Sequence, residues 1–178
     1  METATHYDLL ANLLEYPRED YYERLAQCLE AFENSQPDTA ALLEEFARRI
    51  AGLSTEELQE LYVQSFDLNP SGSLDVGWHL FGENYERGAF LVKMREQLRR
   101  FSLPESSELP DHLGHVLAVL ARMEPEEAAG FAAGCVFPAL DKIREGLGKN
   151  KNPFAIVLES VARLLESRYG RPAESLVP

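Results

Sequence analysis

The chain is poor in cysteine, in positive charge and in long apolar runs. Its two cysteines, Cys28 and Cys135, lie far apart and form no CxxC pair. A disulfide scaffold is therefore disfavoured, and a reducing compartment is the simpler setting. Seventeen Lys and Arg stand against thirty Asp and Glu, a formal net charge of −13. Nucleic-acid binding needs a basic footprint that is missing here, and an anionic membrane surface would repel such a chain. No uninterrupted apolar run nears the roughly 20 residues of a membrane span. The first residues, Met1-Glu2-Thr3-Ala4-Thr5-His6, lack the basic flank and apolar stretch of a signal peptide, so a cytoplasmic location is expected. No segment alternates convincingly at period two, which argues against a sheet. The phosphate-binding glycine loops and the GxSxG nucleophile elbow are also missing.

What is present reads at helical period. With 178 residues, 45% of them hydrophobic, the chain suits one domain with a sizeable core. Tyr7, Leu10, Ala11 and Leu14 fall on one stripe, as do Tyr22, Leu25, Leu29 and Phe32, and then Leu43, Phe46, Ala47 and Ile50. Ser54 with Glu57 three residues on has capping-box spacing and opens a helix carrying Leu58, Leu61 and Tyr62. A long helix is expected from about 84 to 101, with Leu91, Met94, Leu98 and Phe101 inward. Leu113, Val116, Leu117 and Leu120 mark another. Ala128, Phe131, Ala132 and Cys135, continued by Leu140, Ile143 and Leu147, mark one in which Pro138 should force a kink. Asn152-Pro153 announces the last, which buries Phe154, Val157, Leu158, Val161 and Leu165. The expected fold is all-α: a single-domain bundle of about eight helices over residues 1–170, with 171–178 as a tail.

The acidity is uneven. Residues 1–67 hold 15 acidic side chains against 4 arginines, a net of −11. Solvated helix faces account for this, but a one-signed field also draws in a cationic partner.

Two segments carry candidate chemistry. Asp111, His112 and His115 place two imidazoles on one helix face, so a metal held with Asp111 or Glu108 as oxygen ligand, and hence a helical metal-dependent hydrolase, is one reading. The bland alternative has Asp111 capping the helix, His112 bonded to a neighbouring loop and His115 as an ordinary amphipathic residue. The second segment, Trp78-His79-Leu80-Phe81-Gly82-Glu83-Asn84-Tyr85-Glu86-Arg87-Gly88, mixes aromatics, glycines and charge. Leu80 and Phe81 suit a core, Gly82 and Gly88 suggest close backbone approach, and Tyr85 and Arg87 suit peptide contacts.

The same residues carry a family likeness. Leu61-Tyr62-Val63-Gln64-Ser65-Phe66-Asp67, Ser73-Leu74, Leu80-Phe81-Gly82-Glu83, Glu86-Arg87-Gly88 and Glu108-Leu109-Pro110-Asp111-His112-Leu113 follow in order across residues 61–120. Together they resemble the NarJ branch of the NarJ/TorD family of molybdoenzyme maturation chaperones. The resemblance implies a TorD-like, non-enzymatic, cytoplasmic helical protein. Such a protein binds the N-terminal peptide of a molybdoenzyme catalytic subunit, often a twin-arginine signal or its remnant, nitrate reductase being the first guess. It holds the subunit for molybdenum cofactor insertion, with no tightly bound cofactor of its own and at most transient contact with the client's. It implies a peptide site shaped by Asp111 and His112 on a loop fixed by Pro110, lined or supported by Trp78, Leu80, Phe81 and Tyr85, with Glu83 and Arg87 nearby. A helical adaptor without any cofactor role is a further class. Because an unperturbed histidine titrates near neutrality, His112 is also expected to make peptide affinity vary between about pH 5 and pH 8.

Overall fold

A computed structural model describes residues 2–148 and 152–170. Among them the chain forms ten α-helical segments and no β-strand. These are α1 (Glu2–Leu13), α2 (Tyr21–Glu33), α3 (Pro37–Ile50), α4 (Thr55–Tyr62), α5 (Val76–Phe81), α6 (Tyr85–Arg100), α7 (Leu113–Leu120), α8 (Pro125–Phe131), α9 (Phe137–Leu147) and α10 (Phe154–Tyr169). The all-helical reading holds. The count exceeds eight for two reasons. Residues 76–81 form a one-and-a-half-turn helix too short to show a period, and the span around Pro138 is two helices. The tail at 171–178 lies outside the described residues.

Pro138 acts through its missing N–H. The turn before it, Ala132–Val136, widens to π geometry, and the N–H of Phe137 bonds the carbonyl of Ala132, five residues back. Instead of one kinked helix there is a π-turn, with Pro138 in the first turn of α9, where a missing donor costs nothing. The capping box of Ser54 and Glu57 forms in both directions. Asn152 caps α10, its Oδ1 accepting from the N–H of Phe154 at 3.0 Å.

Helix α10 is the centre of the bundle, packed on α3, α9 and α1, while α1 also meets α2 and α7. Phe46, Tyr62, Phe66 and Phe154 form one ring cluster, with centroids 5.0–5.8 Å apart. Burying each such side chain is worth about 2–3 kcal/mol. Two buried tyrosines also finish α1. Tyr21 donates to the carbonyl of Leu13 and Tyr62 to that of Leu14, both at 2.7 Å, satisfying acceptors the helix end leaves open. The α2 stripe is rotated from the expected one. Tyr21 and Cys28 are buried, and Tyr22 stands at the rim, its hydroxyl within reach of the Ile50 and Leu53 carbonyls.

Candidate functional site

The residues between Leu109 and Leu113 are held from two sides. Opposite them, Leu74 to Val76 runs antiparallel: the Val76 N–H donates to the Asp111 carbonyl at 2.9 Å, and the Leu113 N–H to that of Leu74 at 2.8 Å. This single bridge ties the entry of α5 to the entry of α7.

Asp111 is fully buried. Its Oδ2 accepts from the Gly77 N–H at 2.9 Å and lies 3.5 Å from Nη2 of Arg87, which also reaches Asp75 at 3.3 Å. Two carboxylates thus share one guanidinium. Burial raises the pKa of both, and for Asp75 the charge of Asp111 adds to the rise. Asp111 Oδ1 and Arg87 Nε have no partner. Gly77 is required here, because a Cβ would stand 2.7 Å from Asp111 Oδ2 and 2.9 Å from the Phe90 ring.

His112, not Asp111, caps α7: its Nδ1 accepts from the Gly114 N–H at 3.0 Å. That leaves the ring proton on Nε2, 3.4 Å from the Tyr62 hydroxyl. Burial pushes the His112 pKa down to about 3, so the ring is neutral from pH 5 to pH 8 and the expected histidine-driven pH dependence fails. His115 accepts from the Ser106 N–H at Nε2 and donates from Nδ1 to the Leu109 carbonyl at 2.9 Å. All four ring nitrogens are engaged, and the Asp111 carboxylate points to Gly77 and Arg87. No metal-binding group of three His, Cys, Asp or Glu side chains occurs among the described residues. The geometry does not support a hydrolase built on Asp111, His112 and His115.

Two concavities meet at His112 and Glu108. One, of about 300 Å³, runs between α1, α7 and the 103–108 loop, over Ala11, Leu98, Leu103 and Ala118 with Asp8, Glu15 and Glu105 at its edges. The other, of about 150 Å³, is lined by Tyr62, Phe66, Asp67, Asp75, Glu108 and His112. The edge carboxylates of the first already hold Arg122, Arg24 and Arg95. In the second, Asp67 and Glu108 have no ion-pair partner among the described residues, and burial, with mutual repulsion at Glu108, raises the pKa of both. Leu68, 72% exposed, and Leu109 adjoin these two acids, and exposed Tyr16 stands edge-on to Tyr62.

Of the sequence-derived candidates, Pro110, Asp111, His112 and Arg87 come together, with Pro110 and Asp111 buried behind the surface. Trp78, Leu80, Phe81, Glu83 and Tyr85 line neither concavity. Trp78 bonds the Pro70 carbonyl, Phe81 packs on Phe90, and Glu83 and Tyr85 are exposed. Gly82 and Gly88 make no close approach. Gly82 ends α5 at φ +62°, and a Cβ at Gly88 would meet nothing. Sequence reasoning passed over Asp75 and Gly77. A glycine two residues after an acid at a helix start was the only signal.

The comparisons agree with this layout. Residues 32–160 match the family model described as nitrate reductase delta subunit. The nitrate reductase molybdenum cofactor assembly chaperone NarJ of Escherichia coli K12 is 27% identical over 160 residues, 88% of this chain and 67% of that one. The probable chaperone of the same name from Bacillus subtilis 168 is 30% identical over 178 residues, 90% and 88% respectively. The matched span runs from the end of α2 into α10 and takes in the whole knot of Asp75, Gly77, Arg87, Asp111 and His112, so the chain belongs to the nitrate reductase delta subunit family, a family of assembly chaperones and not of enzymes.

Proposed function

We propose that the protein is a maturation chaperone that binds the basic, amphipathic N-terminal peptide of a nitrate reductase catalytic subunit. It holds that subunit while molybdenum cofactor is inserted, touching the client's cofactor transiently and keeping none of its own, in the cytoplasm. No helix among the described residues is long and apolar enough to cross a membrane. One observation carries the reading: two unpaired carboxylates, Asp67 and Glu108, stand over the rings of Tyr62 and Phe66 at the mouth of an apolar trough. A lysine or arginine finds charge and an aromatic face there, and the apolar side of the same peptide lies along Ala11, Leu103 and Ala118. Asp111, Pro110 and Arg87 shape the site from behind through His112 and Asp75. Trp78, Leu80 and Phe81 support it through α5, and Glu83 and Tyr85 stay outside it.

The test is titration of the synthetic N-terminal peptide of the co-encoded catalytic subunit. Wild type is expected to bind, and Asp67→Asn with Glu108→Gln to weaken binding about tenfold or more. Absence of binding by the wild type rejects the reading for that client.

A further inference from the structure

Helix α6 is out of character with the rest of the chain. It carries Arg87, Lys93, Arg95, Arg99 and Arg100 against Glu86 and Glu96, a local net of +3 in a molecule of net −13. Its inner face, Phe90, Met94 and Leu98, is buried in the ordinary way. Its outer face is apolar as well. Tyr85, Ala89 and Val92 follow at i, i+4 and i+7 on one side and are all exposed, Tyr85 by 90% and Val92 by 56%. Scattered apolar side chains on a surface mean little, but a helical stripe of them has the pattern of a docking face.

The cations show what kind of partner fits. Arg87 is held by Asp75 and Asp111, Arg95 by Glu105 and Arg100 by Glu127. Lys93 and Arg99 form no ion pair among the described residues, and they flank the stripe on either side. The basic peptide assigned to the acidic cleft would be repelled by them. A second copy of this chain brings net −13 against net −13, a repulsion that disfavours self-association.

We propose that the outer face of α6 docks an acidic amphipathic helix of the client protein. The helix's apolar side chains lie between Tyr85 and Val92, and its carboxylates lie over Lys93 and Arg99. The identity of the client rests on the chaperone reading above; the surface and its chemistry do not.

The test measures affinity of the full chain for two probes, the purified full-length catalytic subunit and its synthetic N-terminal peptide. The variants are Tyr85→Ser with Val92→Ser, and Lys93→Glu with Arg99→Glu, each checked for native helicity. Both pairs should weaken subunit binding about tenfold while leaving peptide binding unchanged. The charge-reversed pair should also flatten the salt dependence of subunit binding. Subunit affinity unchanged in both variants overturns the proposal and leaves the peptide reading standing. Loss of peptide binding in the wild type with α6-dependent subunit binding does the reverse. A wild-type dimer that Tyr85→Ser with Val92→Ser dissolves makes the face a self-interface and overturns the proposal as stated.

Discussion

His112 is a cap that cannot charge. Folding holds its pKa at about 3, against an ordinary value near 6.5. A lowered histidine stabilises fully above the unfolded value and loses that contribution as pH falls, because the unfolded chain takes the proton first. Below pH 6.5 its share of stability should therefore drop by about 1.4 kcal/mol per pH unit. Urea unfolding of wild type and His112→Asn at pH 7 and pH 5 checks this: the stability gap between them should narrow by roughly 2 kcal/mol at the lower pH. Asp67 and Glu108 run the other way. Their raised values favour the neutral acids, so their contribution is present below pH 4 and lost as pH rises through the folded values. Asp67→Asn with Glu108→Gln should accordingly raise the melting temperature at pH 8 and leave it unchanged near pH 3, while peptide affinity falls. At Gly77 the constraint is space. Gly77→Ala forces a methyl onto Asp111 Oδ2 and the Phe90 ring and should cost about 2 kcal/mol or more.

At the scale of elements, the site depends on short pieces clamped by long ones. The turn at Pro70–Gly72 lies directly against α9, where a Cβ on Gly146 would collide with the backbone of Ser71. That turn leads to Ser73 and Asp75, which line the cleft. Gly146→Ala should therefore lower stability by about 2–3 kcal/mol and weaken peptide binding as well, read by unfolding and titration on one preparation. The long helices were legible because α3, α7 and α10 present their buried residues at regular spacing. α5 was not, since six residues cannot display a 3.6 period. The π-turn before Pro138 was half legible: proline told where the ladder fails, but the choice between a kink and a widened turn belongs to the packing of α9 on α10. In the site, the Pro110-Asp111-His112 run could be read from sequence. Its partners Asp75 and Gly77 could not, because a backbone bridge between residues 34–37 apart leaves no periodic trace.

At the scale of the molecule, the charge of −13 resolves into an acid-rimmed trough on one side and a cationic helix on another. Peptide capture in the trough should weaken, without vanishing, as the Debye length falls from about 10 Å at 0.1 M salt to about 3 Å at 1 M. Stopped-flow rates should place that loss mainly in association, since steering acts before contact. Salt-independent association would remove the field from the mechanism and leave the apolar trough. The fold also supplies its own instrument for such measurements. Trp78 is the only tryptophan of the chain, half-buried, with its indole N–H on the Pro70 carbonyl at 3.0 Å. The turn it holds continues into the Ser73–Asp75 wall of the cleft. Its ultraviolet emission is thus a single-site reporter: a client side chain that enters the cleft and shifts that wall changes the indole's surroundings, and the event can be followed without attaching a dye.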